Sequence, residues 1–569
     1  MNAPTPALVA RPERLRLVGQ RRLILAVMHQ RLMIGMLIYG GIVALIILRL
    51  VYLAAFGDHA GRKGGALDLA PERGDIVDRD GQSLAVTIDA WTIGLQPGQV
   101  IGNKFDLAQK LAVLMPEKDA ATYLTMLRSE RRFYYLRRRA APGLVDAINA
   151  LGEPGLALSR EPDRLYPQTA LAAHVLGYTD VDGNGTAGVE RAFNDRLRDQ
   201  AQRGTPLTLS IAAPVQQALE HELAAAMTEF SAIGAAGIIM DIHTGEVLAM
   251  TSLPQLNPNA AGKGTADARF NRATLGVYEL GSTFKSFTVA MAMDAGVIKS
   301  LGQMYNCPRA LRVGRRTITD THPFGRACSV AEIMQESSNI GTAQIADQLG
   351  AARQREFLRK MGFLDKVDLE LSERGRTLSP GSNWNQVETM TVGFGHGLAV
   401  TPLHLASGYA TLLNGGIYRP AMLLKVDRAN PAAAGRRVFT EDTSYKMRAL
   451  LRMVVTEGTG GKADAPGYRV GGKTGTANKP VNGGYSNTLV VTNFAGVFPM
   501  EDPRFVIVVM LDEPKPTANT YGFRTAGWNV APIVSKTISR IAPMLGVRPD
   551  RKREPNMAEV LPYIQKRDN

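Results

Sequence analysis

Cysteine is nearly missing from this chain: Cys307 and Cys328 are its only two in 569 residues, and they form no C-x-x-C. The eight histidines are scattered, with no pair at metal-ligand spacing. A zinc site or a dithiol redox motif is therefore excluded, and no metal or cofactor is expected. Internal repeats and biased segments are also lacking, apart from the two ends, which excludes solenoids and largely disordered chains. No zinc-finger spacing, RNA-binding signature or basic helix occurs, so nucleic acid is not the expected partner. Yet the net charge is +14. That excess suits a membrane surface or an anionic polymer such as cell wall. The length is too great for one core, so two or three domains are expected.

One long apolar run is present. LMIGMLIYGGIVALIIL, between Arg31 and Arg49, carries no charge over 17 residues, and apolar character resumes in Leu50 to Phe56. A membrane span needs about 20 apolar residues, so a helix from Leu32 to Leu53 suffices if Arg49 snorkels to the interface. A cleaved signal peptide would be shorter and would end in a small-residue site. Before the run lie Arg11, Arg14, Arg16, Arg21, Arg22 and Arg31 against the single acid Glu13. Residues 1–31 are thus expected in the cytoplasm and everything beyond the anchor outside.

Downstream, RGDIVDRDGQSLAVT (73–87) predicts two short strands about the turn Asp80-Gly81, and FYYLRRR (133–139) a strand with one solvated face. PVQQALEHELAAAM has helical periodicity, with Pro214 in its first turn. AAGIIMDIHTGEVLAMTS (235–252) predicts two strands joined at Thr244-Gly245. An α-rich middle follows, then strands at TNFAGVFP (492–499) and RFVIVVMLDE (504–513), whose unbroken apolar run suits a central, two-sided strand. Strands at both ends with helices between them predict an α+β domain. The expected divisions are a membrane anchor at 32–53, a first exported domain at 57–212, a second at 213–546 and a loose tail at 547–569.

Three short motifs fall in order within that second domain. Ser282 and Lys285 of Gly281-Ser-Thr-Phe-Lys are three apart and share a face at a helix start. Serine needs a base within reach, and lysine can serve when burial and nearby cations lower its pKa. Ser337-Ser338-Asn339 follows the helical VAEIMQ; taken singly, these residues could simply end a helix. Lys473-Thr474-Gly475-Thr476 reads as strand, together with Tyr468-Arg469-Val470 before it. Gly475 would mark a bulge or let a substrate backbone lie along the strand.

Together the motifs form the set seen in penicillin-binding proteins and class A β-lactamases. From about residue 70 to 540 the chain resembles a class B penicillin-binding protein, most closely the septal, FtsI-type member. RGDIVDRDGQSLAV, RLYPQTALAAHVLGYTD with AGVE (186–190), DIHTGEVLAM, QESSN, GFGHGLAVTPLHLA (393–406) and GGKTGTA carry the resemblance. It implies a non-catalytic, elongated pedestal of the dimerisation type at 57–212, below a β-lactamase-like transpeptidase domain whose antiparallel sheet is sandwiched by helices. It implies a D,D-transpeptidase that cross-links peptidoglycan stem peptides at the division septum of the inner membrane and is inhibited by β-lactams. By position, Ser282 would be nucleophile and Lys285 base, with Ser337, Asn339 and Lys473 completing the catalytic set. Thr474, Gly475 and Thr476 would bind substrate, and the N–H groups of Ser282 and Thr476 would form the oxyanion hole. A membrane glycosyltransferase of the FtsW type and other division proteins would be partners. An elongation-type transpeptidase, a β-lactamase-like hydrolase and a non-catalytic scaffold are the competing readings. One departure is Leu280, where many relatives have proline.

On the exported side a disulfide between Cys307 and Cys328 is expected, the segment between them turning back on itself at Gly314 and Pro323–Gly325. Alternatively Cys328 fills an apolar slot at a helix start.

Overall fold

The computed structural model describes residues 31–49, 73–202, 204–427, 430–481, 483–550, 552 and 554–564. The expected cytoplasmic tail up to residue 30, the last residues of the anchor (50–53) and the start of the first exported domain (57–72) lie outside these. Two units are distinct, Met1–Asp68 and Leu69–Asn569. In the first, Arg31–Arg49 is one helix of 19 residues, long and apolar enough to cross a membrane. At 1.5 Å per residue it spans about 28 Å, close to a bilayer's hydrocarbon thickness.

The second unit begins with a strand pair where the turn at Asp80-Gly81 requires it. β1 (Ile76–Val77) runs antiparallel to β2 (Ser83–Leu95), with Gly81 at φ +87° between them. The Asp78 carboxylate accepts the N–H groups of Asp80 and Gln82. β3 (Tyr134–Ala140) and β4 (Leu156–Leu165) flank β2 on its two sides, and β5 (Leu207–Thr208) adds parallel to β1. As FYYLRRR predicts, β3 has a solvated side: Tyr135, Arg138 and Arg139 are exposed, while Leu136 and Ala140 are buried. One buried ion cluster joins segments far apart in sequence. Glu190 is fully buried and accepts from Arg73 Nε at 2.5 Å and Arg164 Nε at 2.7 Å, with the Tyr166 hydroxyl at 3.2 Å.

Pro214 starts α1 (Ala213–Glu229), and Asp78 Oδ2 accepts the Ala213 N–H at 3.0 Å, so the β1–β2 turn caps this helix. β6 (Gly234–Asp241) and β7 (Val247–Leu253) follow as the predicted hairpin, turning at Gly245 with φ +85°. After the α-rich middle come β8–β10 of the late sheet: β8 (Gly471–Val481), β9 (Gly484–Phe498) and β10 (Phe505–Asp512). The sheet order is β8-β9-β10-β6-β7, all antiparallel. The unbroken apolar run is thus the middle strand. Its alternate residues serve two cores: Val506, Val508 and Met510 face one, Phe505, Ile507, Val509 and Leu511 the other. α1 and a C-terminal helix, Val530–Met544, cover the second face through Leu219, Leu223, Val534 and Ile538. The helices of the middle segment cover the first.

Two expectations need correction. Tyr468–Val470 is not strand: Arg469 has φ +37° and the strand begins at Gly471. Nor is the segment after 547 loose where it is described. Glu554 pairs with Arg452 at 3.2 Å and Arg469 at 3.3 Å, Val560 is fully buried, and Ser329 Oγ donates to the Tyr563 carbonyl at 2.7 Å. Its charges, which read locally as a solvated tail, meet partners about a hundred residues upstream.

Candidate active site

The first motif opens on a tight turn. Gly281–Phe284 is a 3-10 turn that runs straight into α2 (Lys285–Asp294), a helix of the middle segment. Ser282 is half-buried there, and Lys285 begins the α-helix, fully buried. Leu280, the departure from many relatives, is held without proline. Its carbonyl accepts Thr283 Oγ1 at 2.9 Å and Asn493 Nδ2 at 3.0 Å. Tyr409 secures the next turn, its hydroxyl donating to the Thr283 carbonyl at 3.0 Å.

Backbone approaches around Ser282 are so close that only glycine fits. Gly281, at φ +56°, faces the Thr476 carbonyl, where an added Cβ would sit 2.8 Å away. At Gly475 a Cβ would meet the Leu280 carbonyl at 2.3 Å. The third motif is therefore pressed against the turn that carries Ser282. This gives Gly475 a packing reason that does not depend on any substrate.

The second motif meets Lys285. A disulfide joins Cys307 to Cys328, the cysteines of two paired strands, Met304–Cys307 and Arg326–Ser329. Between them Ala310–Val313 and Arg316–Thr319 form a hairpin that ends at Asp320. Ser329 then caps α3 (Val330–Gln335) in a reciprocal box with Glu332. Ser337 follows in the left-handed region at φ +59°, a conformation that costs a serine energy and marks a constrained site. Lys285 Nζ donates to the Ser337 carbonyl and, at 3.2 Å, to its hydroxyl. Ser338 caps α4 (Asn339–Leu349), so the reading of this motif as a helix boundary also holds. Asn339 turns elsewhere: its side-chain amide donates to the Thr319 carbonyl at 2.9 Å.

Lys473 lies fully buried on β8, its Nζ 3.4 Å from Thr459 Oγ1 and 3.5 Å from the Thr474 carbonyl. Thr474 Oγ1 lies 3.0 Å from Thr459 Oγ1, and Thr476 Oγ1 accepts the Ala526 N–H at 3.1 Å. Burial brings the Lys473 ammonium down to about 7, against a partial opposing pull from Glu336. Burial also lowers Lys285 far below an ordinary lysine, and the neighbouring Lys473 charge lowers it further, while Asp320 opposes both. A desolvated lysine beside a second cation can accept a proton near neutral pH. Asp320, Thr459, Tyr409 and Asn493 carry no signal in the sequence, since each reaches the site from a distant segment. Asn493 fell within the predicted strand 492–499 and Asp320 within the segment between the cysteines, neither marked as functional. Gly395, in the stretch 393–406, accepts the Gly281 N–H with its carbonyl at 3.3 Å.

Residues 235–537 match the family model for the penicillin binding protein transpeptidase domain, and residues 68–204 that for the penicillin-binding protein dimerisation domain. The chain is 40% identical over 512 residues to a "Probable peptidoglycan D,D-transpeptidase FtsI" of Caulobacter vibrioides, covering 88% of this chain and 86% of that protein. It is 31% identical over 515 residues to the peptidoglycan D,D-transpeptidase FtsI of Escherichia coli K12, with 85% of each covered. In fold it resembles crystalline penicillin binding protein 3 from Mycobacterium tuberculosis in complex with aztreonam. There the TM-score is 0.67 at 23% identity, over 88% of this chain and all of that one.

Proposed function

This chain belongs to the penicillin-binding protein transpeptidases of the FtsI type, and we propose that it is a peptidoglycan D,D-transpeptidase working through Ser282. The observation that carries this reading is Lys285: fully buried, depressed in pKa, three residues after Ser282 and bonded to Ser337. Lys285 takes the Ser282 hydroxyl proton as Oγ attacks the carbonyl between the terminal D-alanines of a stem peptide. The N–H groups of Ser282 and Thr476 receive the developing oxyanion. Ser337 relays the proton to the departing D-alanine nitrogen, and an acyl-enzyme remains on Ser282. An amine from a neighbouring stem then attacks, gives up a proton to the same base and releases the cross-linked product. Lys473, Thr474 and Thr476 hold the terminal carboxylate, a charge that favours the protonated form of Lys473. A β-lactam copies the substrate's end and stalls as the acyl-enzyme.

The basic flank before Arg31–Arg49 supports a cytoplasmic N-terminus, with residues 57–212 as pedestal and 213–546 as transpeptidase domain on the outer side. The FtsI name of the relatives supports a role at the septum; a glycosyltransferase of the FtsW type and other division proteins are the partners that the motif resemblance alone implies. Ser282→Ala is expected to abolish the covalent penicillin adduct seen by intact mass while leaving the protein folded. Stoichiometric labelling of that variant sinks the assignment. A fluorescent fusion in dividing cells is expected at the septum; a signal spread along the side wall points to elongation instead.

A further inference from the structure

The three motifs leave the charged side chain of Asp320, at the site, without a role. Asp320 follows the hairpin strand Arg316–Thr319 inside the loop closed by Cys307 and Cys328. Its Oδ2 accepts the Ser338 hydroxyl at 2.6 Å, and its Oδ1 accepts the N–H groups of Asn339 at 2.5 Å and Ile340 at 3.1 Å. One carboxylate thus satisfies two N–H groups of the first turn of α4, where the helix dipole favours negative charge. Ser338 satisfies a third, that of Gly341, at 2.9 Å. On the other side, the Ser338 N–H donates to the Ile333 carbonyl at 2.9 Å. Ser337 immediately precedes these anchored residues, in its left-handed conformation, inside the turn that the Ser338-to-Ile333 bond closes.

We propose that Asp320 is a positioning residue for acyl transfer, holding Ser337 in register with Lys285 Nζ by pinning the first turn of α4. This rests on the assignment of Ser282 and Lys285 given above. Asp320 touches neither the nucleophile nor the reacting carbonyl; it acts through the hydroxyl and backbone of the second motif. The same carboxylate favours the protonated form of Lys285. The other charged and titratable groups around that lysine are Lys473 on β8, which opposes its protonation, and His396, which feels the Lys285 charge in turn. Glu336, at the end of α3, acts on Lys473.

The test uses the full chain in detergent and the second-order rate of acylation by a fluorescent penicillin, followed against pH. Asp320→Asn is expected to lower the plateau on the order of tenfold, the size of a small misplacement of a reacting group. It is also expected to move the acid limb to lower pH, because the charge that favoured protonated Lys285 is gone. A purely structural role lowers the plateau and leaves the limb in place, so a folded Asp320→Asn protein with an unmoved limb overturns the proposal. If that variant does not fold, Asp320→Glu carries the test. It keeps the charge at a longer reach, so the limb stays while the plateau falls several-fold, and an unchanged plateau overturns the proposal. Ser282→Ala separates the two levels. Labelling of that variant refutes the nucleophile assignment, whereas an unlabelled Ser282→Ala beside an unmoved Asp320→Asn limb refutes only the role of Asp320.

Discussion

Replacing Gly475 by alanine tests whether the packing of β8 against the nucleophile turn sets the reaction rate. The new Cβ would stand 2.3 Å from the Leu280 carbonyl oxygen, and 2.7 and 2.8 Å from the side-chain oxygen and nitrogen of Asn493. Real Cβ contacts essentially never fall below 3.0 Å, so the Leu280 carbonyl must retreat by at least about 0.7 Å. That carbonyl lies two residues before Ser282, and its bonds from Thr283 and Asn493 hold the turn in place. The shift therefore passes directly to the nucleophile. A 1 Å misplacement costs about a hundredfold in rate, so the expected loss is roughly thirtyfold to a hundredfold, or about 2 to 3 kcal/mol of barrier. The assay is the second-order rate of acylation by a fluorescent penicillin, compared with wild type at equal folded concentration. Overpacking at this buried position should also lower stability by about 1–3 kcal/mol, which is why the comparison is made at equal folded concentration. A Gly475→Ala protein that acylates within about threefold of wild type refutes the reasoning.

Two further outcomes follow from the packing. Glu190→Gln removes the negative charge from between Arg73 and Arg164, whose side chains are only 4% exposed. Breaking a buried pair from one side costs about 3–5 kcal/mol; chemical denaturation should show a loss in that range, and one under about 1 kcal/mol would contradict it. Reducing the Cys307–Cys328 bond, whose sequence separation is 21, should lower stability by about 3 kcal/mol on the chain-entropy estimate. Thiol counting under denaturing, non-reducing conditions should find no free cysteine, and two free thiols would exclude the bond.

What the sequence made legible was local. Seven apolar residues in a row at Phe505–Leu511 announced a strand buried on both faces, and Pro214 and Gly245 marked a helix start and a hairpin turn. Ser282 and Lys285 could be paired by spacing alone. What remained hidden depended on partners far away. Asp320 is an ordinary hairpin residue until the disulfide-closed loop brings it to α4. Asn339, expected in the catalytic set, has its side-chain amide turned to the Thr319 carbonyl. Arg469 looked like part of a strand because its left-handed backbone leaves no trace in an apolar pattern. The charged stretch beyond residue 547 read as solvated because local composition is silent about Arg452 and Arg469.

The strand order also governs how the molecule comes into being. β6 and β7 can pair as soon as residue 253 is made, yet the next neighbour of β6 is β10, roughly 260 residues later. At about 5–20 residues per second, that leaves the open edge of β6 waiting on the order of 13–50 s. Throughout that interval an apolar hairpin shows a bare row of backbone donors and acceptors, the kind of edge that recruits other chains. Newly made molecules therefore pass through a window in which they need shielding. Any truncation before residue 505 would leave that window permanently open.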